Sequence, residues 1–204
     1  VRERNWLTVG VEGISHELAG VIECERSATA ITEWSPGIVP GLLQVPEYTR
    51  AIMQSAGIKQ DDIDIRVMVR SGRCEVITRH DPVDYVALLD EAALYETIGS
   101  VPVREHQLHH LREIAERSNI AVQIVPARIG WHPGLAGPFV LYDFPDTPSV
   151  VYLEHYSSAA FIPHKHEVER YRKAADKLRA IAMNAADSSA FISKVIEELE
   201  DSRE

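Results

Sequence analysis

The chain has 204 residues, 45% hydrophobic and 25% charged, with 11 Gly and 11 Pro; this is ordinary for a soluble globular protein and sufficient for a real core. Asp and Glu total 31 against 21 Lys and Arg, a formal net charge of −10, so most of the surface should repel DNA phosphates and no DNA-binding residue is expected in this chain. No stretch nears the roughly 20 apolar residues of a membrane span, and no signal-peptide core follows the first residues. Cys24 and Cys74 suit two reduced thiols, and the expectation is a cytoplasmic protein without membrane association.

In chain order, residues 1–10 read as a linker or residual N-terminal segment, 11–200 as one domain and 201–204 as a frayed tail. Val11, Ile14, Leu18, Val21, Ile22 and Cys24 to Glu25 fall near helical spacing, which predicts an amphipathic helix over about 11–27. Ala28 to Trp34 is a β-branched and aromatic run broken by Ser35-Pro36-Gly37, and Pro46 opens a short helix through Met53. Asp61 and Asp62 begin a helix over 60–78, with Ile63, Val67, Arg70, Cys74 and Ile77 on one face. Arg66, Arg70 and Arg73 are read as scattered charges balanced by Asp61, Asp62, Asp64 and Glu75.

Asp84 to Asp90 reads as a buried strand, 102–117 as a helix and Ile120 to Val125 as another strand. A Pro/Gly-rich loop over 126–138 leads to a hairpin-like pair of strands, Phe139 to Phe144 and Val150 to Glu154. Val168, Tyr171, Ala175, Leu178 and Ala182 mark a penultimate helix, and the Asp187-Ser188 cap signal starts a last one. The sum is an α+β fold: a central sheet of about four to six strands flanked by helices, two of them C-terminal.

His106 and His110 share a helix face, but Gln107 stands where a zinc protease carries Glu and no third ligand suggests itself, so no metal is expected. His164-Lys165-His166 reads as a polar cap. No nucleophile motif, phosphate loop or dinucleotide fingerprint is present, so no catalytic residue and no cofactor is expected.

Long loops in compact domains are often functional. If the sheet brings its strand ends together, Glu91, Trp131, His132 and Glu154 could line a ligand pocket. The alternative is that Trp131 plugs the core edge while Glu91 and Glu154 bond neighbouring loop amides.

Three segments carry a family likeness: Val39-Pro40-Gly41-Leu42-Leu43-Gln44 with Tyr48 and Arg50-Ala51; Leu89-Asp90-Glu91-Ala92-Ala93-Leu94; and His132 to Phe139 with Asp143-Phe144-Pro145 and Val151 to Glu154. In this order they resemble the domain that follows the helix-turn-helix in actinobacterial Xre-type, antitoxin-like regulators. Glu25 with Ala28, Arg66, Arg70, Arg73, Gln107-Leu108 and Tyr171-Arg172 match as well. Cys74 departs from a usual Gln, and Val45 and Thr49 from a common Thr and Ala; these read as packing changes.

The resemblance implies a regulatory domain that binds a small-molecule ligand or a small partner protein, with DNA contacted only through an N-terminal module missing here. Only Val1 to Gly10 precede the first predicted helix, so the chain is expected to be either a truncation or a stand-alone domain. Two further readings stand beside it. One is an enzyme transforming a small molecule, such as a biosynthetic cyclase, with Glu91, His132 and Glu154 as acid–base groups. The other is a homodimerisation module built on the C-terminal helices.

Overall fold

In the computed structural model, the structure describes residues 16–156 and 158–202. The expected linker at 1–10, the start of the 11–27 helix and the end of the expected tail lie outside those residues. The fold is α+β, as expected, around one six-stranded mixed sheet in the order β3-β2-β1-β4-β5-β6.

The chain enters on α1 (His16–Ser27) and crosses the sheet centre as β1 (Ala30–Ser35). A 3-10 turn (Gly41–Leu43), α2 (Pro46–Ser55), α3 (Gln60–Arg73) and α4 (Glu75–Thr78) then carry it to β2 (Asp84–Asp90). The single helix expected over 60–78 is thus broken at Cys74. A second crossover, α5 (Ala92–Tyr95) and α6 (Val101–Ile114), reaches β3 (Ile120–Val125), so β1, β2 and β3 run parallel. β2 and β3 are near-continuous apolar runs because helical crossovers keep a parallel strand covered on its faces.

The second half of the sheet is built from hairpins: β4 (Phe139–Asp143), β5 (Val150–His155) and β6 (Ser158–Ile162), all antiparallel to their neighbours. β6 was not expected. Its sequence, Ser-Ala-Ala-Phe-Ile, has little β-branched character, and its ladder with β5 supplies the register that its pattern lacks.

Alternation divides the core in two. Ile31, Tyr85, Leu89, Val122, Ile124, Tyr142 and Tyr152 pack under α1, α6 and the last helix, α8 (Ala185–Asp201). The opposite face, with Trp34, Leu88, Phe139, Leu141 and Val151, is covered by α7 (Lys165–Ile181) through Val168, Ala175 and Leu178. Buried polar groups fix the seams. Gln107 on α6 accepts from the Val45 amide at 2.8 Å and donates to the Leu43 carbonyl at 2.7 Å, closing the turn before α2. The cap of α8 is Asn184, whose side chain accepts from the Asp187 amide, rather than the expected Asp187-Ser188. Ser188 is instead buried and accepts from the Ile124 amide of β3.

Candidate functional site

Glu33 stands in the middle of β1 on the face covered by most of the helices. Across the sheet it is level with Ala87 on β2, Val140 on β4 and Tyr152 on β5. The small Ala87 side chain opposite leaves room for Tyr85, one diagonal step away, whose hydroxyl donates to Glu33 Oε2 at 2.6 Å. The other oxygen of Glu33 has no protein partner among the described residues. Glu33 is enclosed by the fold yet keeps some accessible surface, so that oxygen remains within reach of a small polar molecule.

Two helices bring charge to this point. Glu25 on α1 is buried and takes both arms of Arg73 from α3, Nε at 2.9 Å and Nη2 at 2.7 Å. One turn earlier on α3, Arg70 donates through Nη1 to Gln44 Oε1 at 2.8 Å. Gln44 is held in turn by the Val39 carbonyl and by the Thr49 hydroxyl, which donates to the same Oε1 at 2.9 Å. Thr49 therefore does more than pack. Arg70 and Arg73 are not the balanced surface charges read from the sequence: the 3.6-residue period turns both inward, while Arg66 stays exposed. Gly41 lies against both guanidinium groups, where an added Cβ would come 3.8 Å from Arg73 and 4.0 Å from Arg70.

The electrostatics follow from burial. Desolvation pushes the Glu33 carboxyl from 4.5 up to about 7; the Tyr85 hydrogen bond and Arg73 work against this, while Glu25 and Glu154 add to it. Burial likewise drives Tyr85 and Tyr142 well above 10. It works against the Arg73 charge too, but Glu25 more than offsets it and the group rises. Arg70 has no such partner, and burial with the neighbouring Arg73 lowers it.

An unfolded chain gives up the Glu33 proton near pH 4.5, whereas the folded protein holds it to about pH 7. In that window the folded state binds more protons, so stability falls as pH rises and levels off above about pH 7. Glu33→Gln is expected to remove this slope and to stabilise the protein at pH 8 by about 3 kcal/mol. Urea midpoints at pH 5 and pH 8 check it; a slope as steep as that of the wild type would place the titration elsewhere.

The four expected pocket residues part company. Glu154, on the Tyr152 face of β5, stands exposed at the carboxyl ends of β1 and β5 and acts electrostatically on both Glu33 and Arg70. Glu91 accepts from the Ala127 amide at 2.9 Å and so ties down the start of the long loop.

Trp131 and His132 lie across the sheet, beside Trp34 and α7. His132 is buried edge-on against Trp34, with ring centroids 5.8 Å apart, and its Nδ1 has no partner among the described residues. Trp131 does not plug the core edge: it is 80% exposed. With Ile129, Pro133, Lys177 and Ile181 it borders an open depression of about 500 Å³. The core position belongs to Trp34, whose indole N–H donates to the Gly134 carbonyl at 2.9 Å.

A set of three possible metal ligands does form, though not around His106 and His110. Glu105 and His109 of α6 meet Glu200 of α8, their ligand atoms within 4.8 Å of one another. Arg112 Nη2 also lies 3.2 Å from His109 Nδ1. His166 beside Glu167 is exposed at the start of α7. Cys24 and Cys74 form no disulfide, and no helix among the described residues is long and apolar enough to cross a membrane.

From the sequence, helical spacing places Arg70 on the same face as Ile63 and Val67, and the family likeness marks Glu25, Arg70 and Arg73, but neither singles out Glu33 or Tyr85. A lone Glu at an inward strand position was the available signal. Residues 18–194 match a family model described as a domain of unknown function, DUF5753. No curated protein matches the sequence.

Proposed function

We propose that this chain, which belongs to the DUF5753 family, is the regulatory domain of an Xre-type transcriptional regulator and binds a small molecule in the polar centre around Glu33 and Arg70. One observation carries the reading: an enclosed arginine meets a neutral amide instead of a carboxylate, beside a carboxyl with an open oxygen. Polar groups left open inside a fold are what a receptor presents to a ligand. The ligand would touch α3 and β1 beside the 3-10 turn, with α1 tied to α3 through Glu25 and Arg73. It would therefore favour one arrangement of these helices and, through them, of an attached DNA-binding module. The acidic composition supports the division of labour, since DNA contact falls to that module.

The test uses the complete gene product and the DNA upstream of its own gene, with binding followed by fluorescence anisotropy. A small-molecule extract of the producing cells is expected to change DNA affinity about 5-fold or more, and Arg70→Met to abolish the response. Unchanged affinity with every extract would sink the regulatory reading.

A second reading is favoured by Glu33 itself. A carboxyl held at about 7 next to open space suits a general acid or base at neutral pH. Consumption of a metabolite by the wild type and not by Glu33→Gln would establish this enzyme instead.

A further inference from the structure

Charges removed from water are normally matched, because an unmatched one is costly. Arg73 obeys the rule through its two bonds to Glu25. Arg70, on the same helix, does not: its Nη1 spends one bond on Gln44 Oε1, and its Nε and Nη2 have no partner among the described residues. Those two nitrogens are not sealed off, since among the described residues only His132 Nδ1 is a buried side-chain polar atom without a partner. The Nε–Nη2 edge is the side of a guanidinium that grips a carboxylate with two parallel hydrogen bonds.

We propose that the polar centre receives the carboxylate of a small organic monoanion, held by the open edge of Arg70 and bordered by the Glu33 carboxyl. This inference rests on reading the centre as a ligand site and names the chemistry of what it binds.

The charges around the centre limit the ligand to a single negative charge. The exposed Glu154 near the centre repels a second one, and the Glu25 carboxylate is already committed to Arg73. Among the described residues, a phosphate dianion would meet these carboxylates with Arg70 as the one cation at the centre not already paired with a carboxylate. The planar carboxylate also fits the guanidinium edge, where a tetrahedral group gains no such match.

Glu33 makes the binding depend on pH. The groups facing it are Glu25 from α1, Arg70 and Arg73 from α3, Tyr85 from β2, Tyr142 from β4 and Glu154 from β5. Burial keeps both tyrosines protonated far above neutrality. Glu33, at about 7, changes charge between pH 6 and pH 8. Protonated, it can donate to the bound carboxylate through its open oxygen; ionised, it repels that carboxylate. The protonated share falls about tenfold over this interval, and affinity should fall with it.

The experiment titrates the purified chain with 4-fluorobenzoate at constant ionic strength, read by 19F NMR at pH 6 and pH 8. The wild type is expected to bind about tenfold more weakly at pH 8. Glu33→Gln keeps a neutral donor and should bind equally at both pH values. Arg70→Met should lose binding. Arg70→Lys, which keeps the charge without the fork, should weaken it about tenfold, and it guards against misfolding of the methionine variant. Unchanged binding by both Arg70 variants, phosphate binding as tightly as the carboxylate, or affinity that rises with pH would each overturn the proposal. So would failure of 4-fluorobenzoate and of acetate to bind while a cell extract still alters DNA affinity, an outcome that leaves the regulatory reading standing. Carboxylate binding that leaves DNA affinity unchanged would do the reverse.

Discussion

Arg73→Ala is expected to destabilise the protein by about 3–5 kcal/mol, because it leaves Glu25 charged and without its partner inside the fold. The Glu25 side chain is 3% exposed and that of Arg73 14%, so water cannot take over the two hydrogen bonds that are lost. The pair also joins α1 to α3, across the cleft of about 470 Å³ that Ile22, Val69 and Val76 border. The double replacement Glu25→Leu with Arg73→Met should recover most of the loss, because a buried pair exchanged for apolar groups of similar size is often neutral or better. Urea denaturation of the three variants measures this directly. A loss below about 1 kcal/mol in Arg73→Ala would mean that Glu25 reaches solvent and that the pair is a surface feature.

Trp34→Ala is expected to cost about 3–5 kcal/mol, the range for emptying a large aromatic position in a core. Trp34 is 1% exposed and packs with Leu88, Phe139, Leu141 and Leu178 between the sheet and α7. Its indole also supports the long loop by donating to the Gly134 carbonyl. Gly134 sits so close that an added Cβ would fall 2.5 Å from the ring, so the loop is seated directly on the indole. Trp131→Ala, three residues earlier in that loop, should cost less than about 0.5 kcal/mol, because its side chain is out in solvent. Thermal unfolding of both variants decides the matter, and a similar loss in each would mean that Trp34 is not the buried anchor of the loop.

The contrast between these tryptophans shows what kind of information the sequence carried. Both stand in stretches that mix apolar and turn residues, and the sequence left Trp131 as either a pocket residue or a plug at the core edge. Which one is buried depends on where β1 pairs in the sheet, and Trp34 lands opposite Leu88 and Phe139. The expected pocket failed to assemble for a related reason. Glu154 stands on the Tyr152 face of β5, whereas His132 packs against Trp34 on the other face, so the two-residue period of β5 and the path of the loop keep them apart.

Local chemistry and periodicity determined most of the elements: the α+β class, the apolar strands between helices, the hairpin of β4 and β5, and the two C-terminal helices. Those are short-range properties, set by residues three or four apart on a helix or two apart on a strand. The parallel order of β1, β2 and β3 came only from the pairing. The tertiary structure alone decided the polar centre. Glu25, Glu33, Arg70 and Tyr85 come from four different elements and meet only because β2 pairs beside β1 while α3 reaches α1 on that face through Arg73. Their meeting also creates the chemistry, since a carboxyl is pushed to about 7 and an arginine left open by the burial that the neighbouring elements impose.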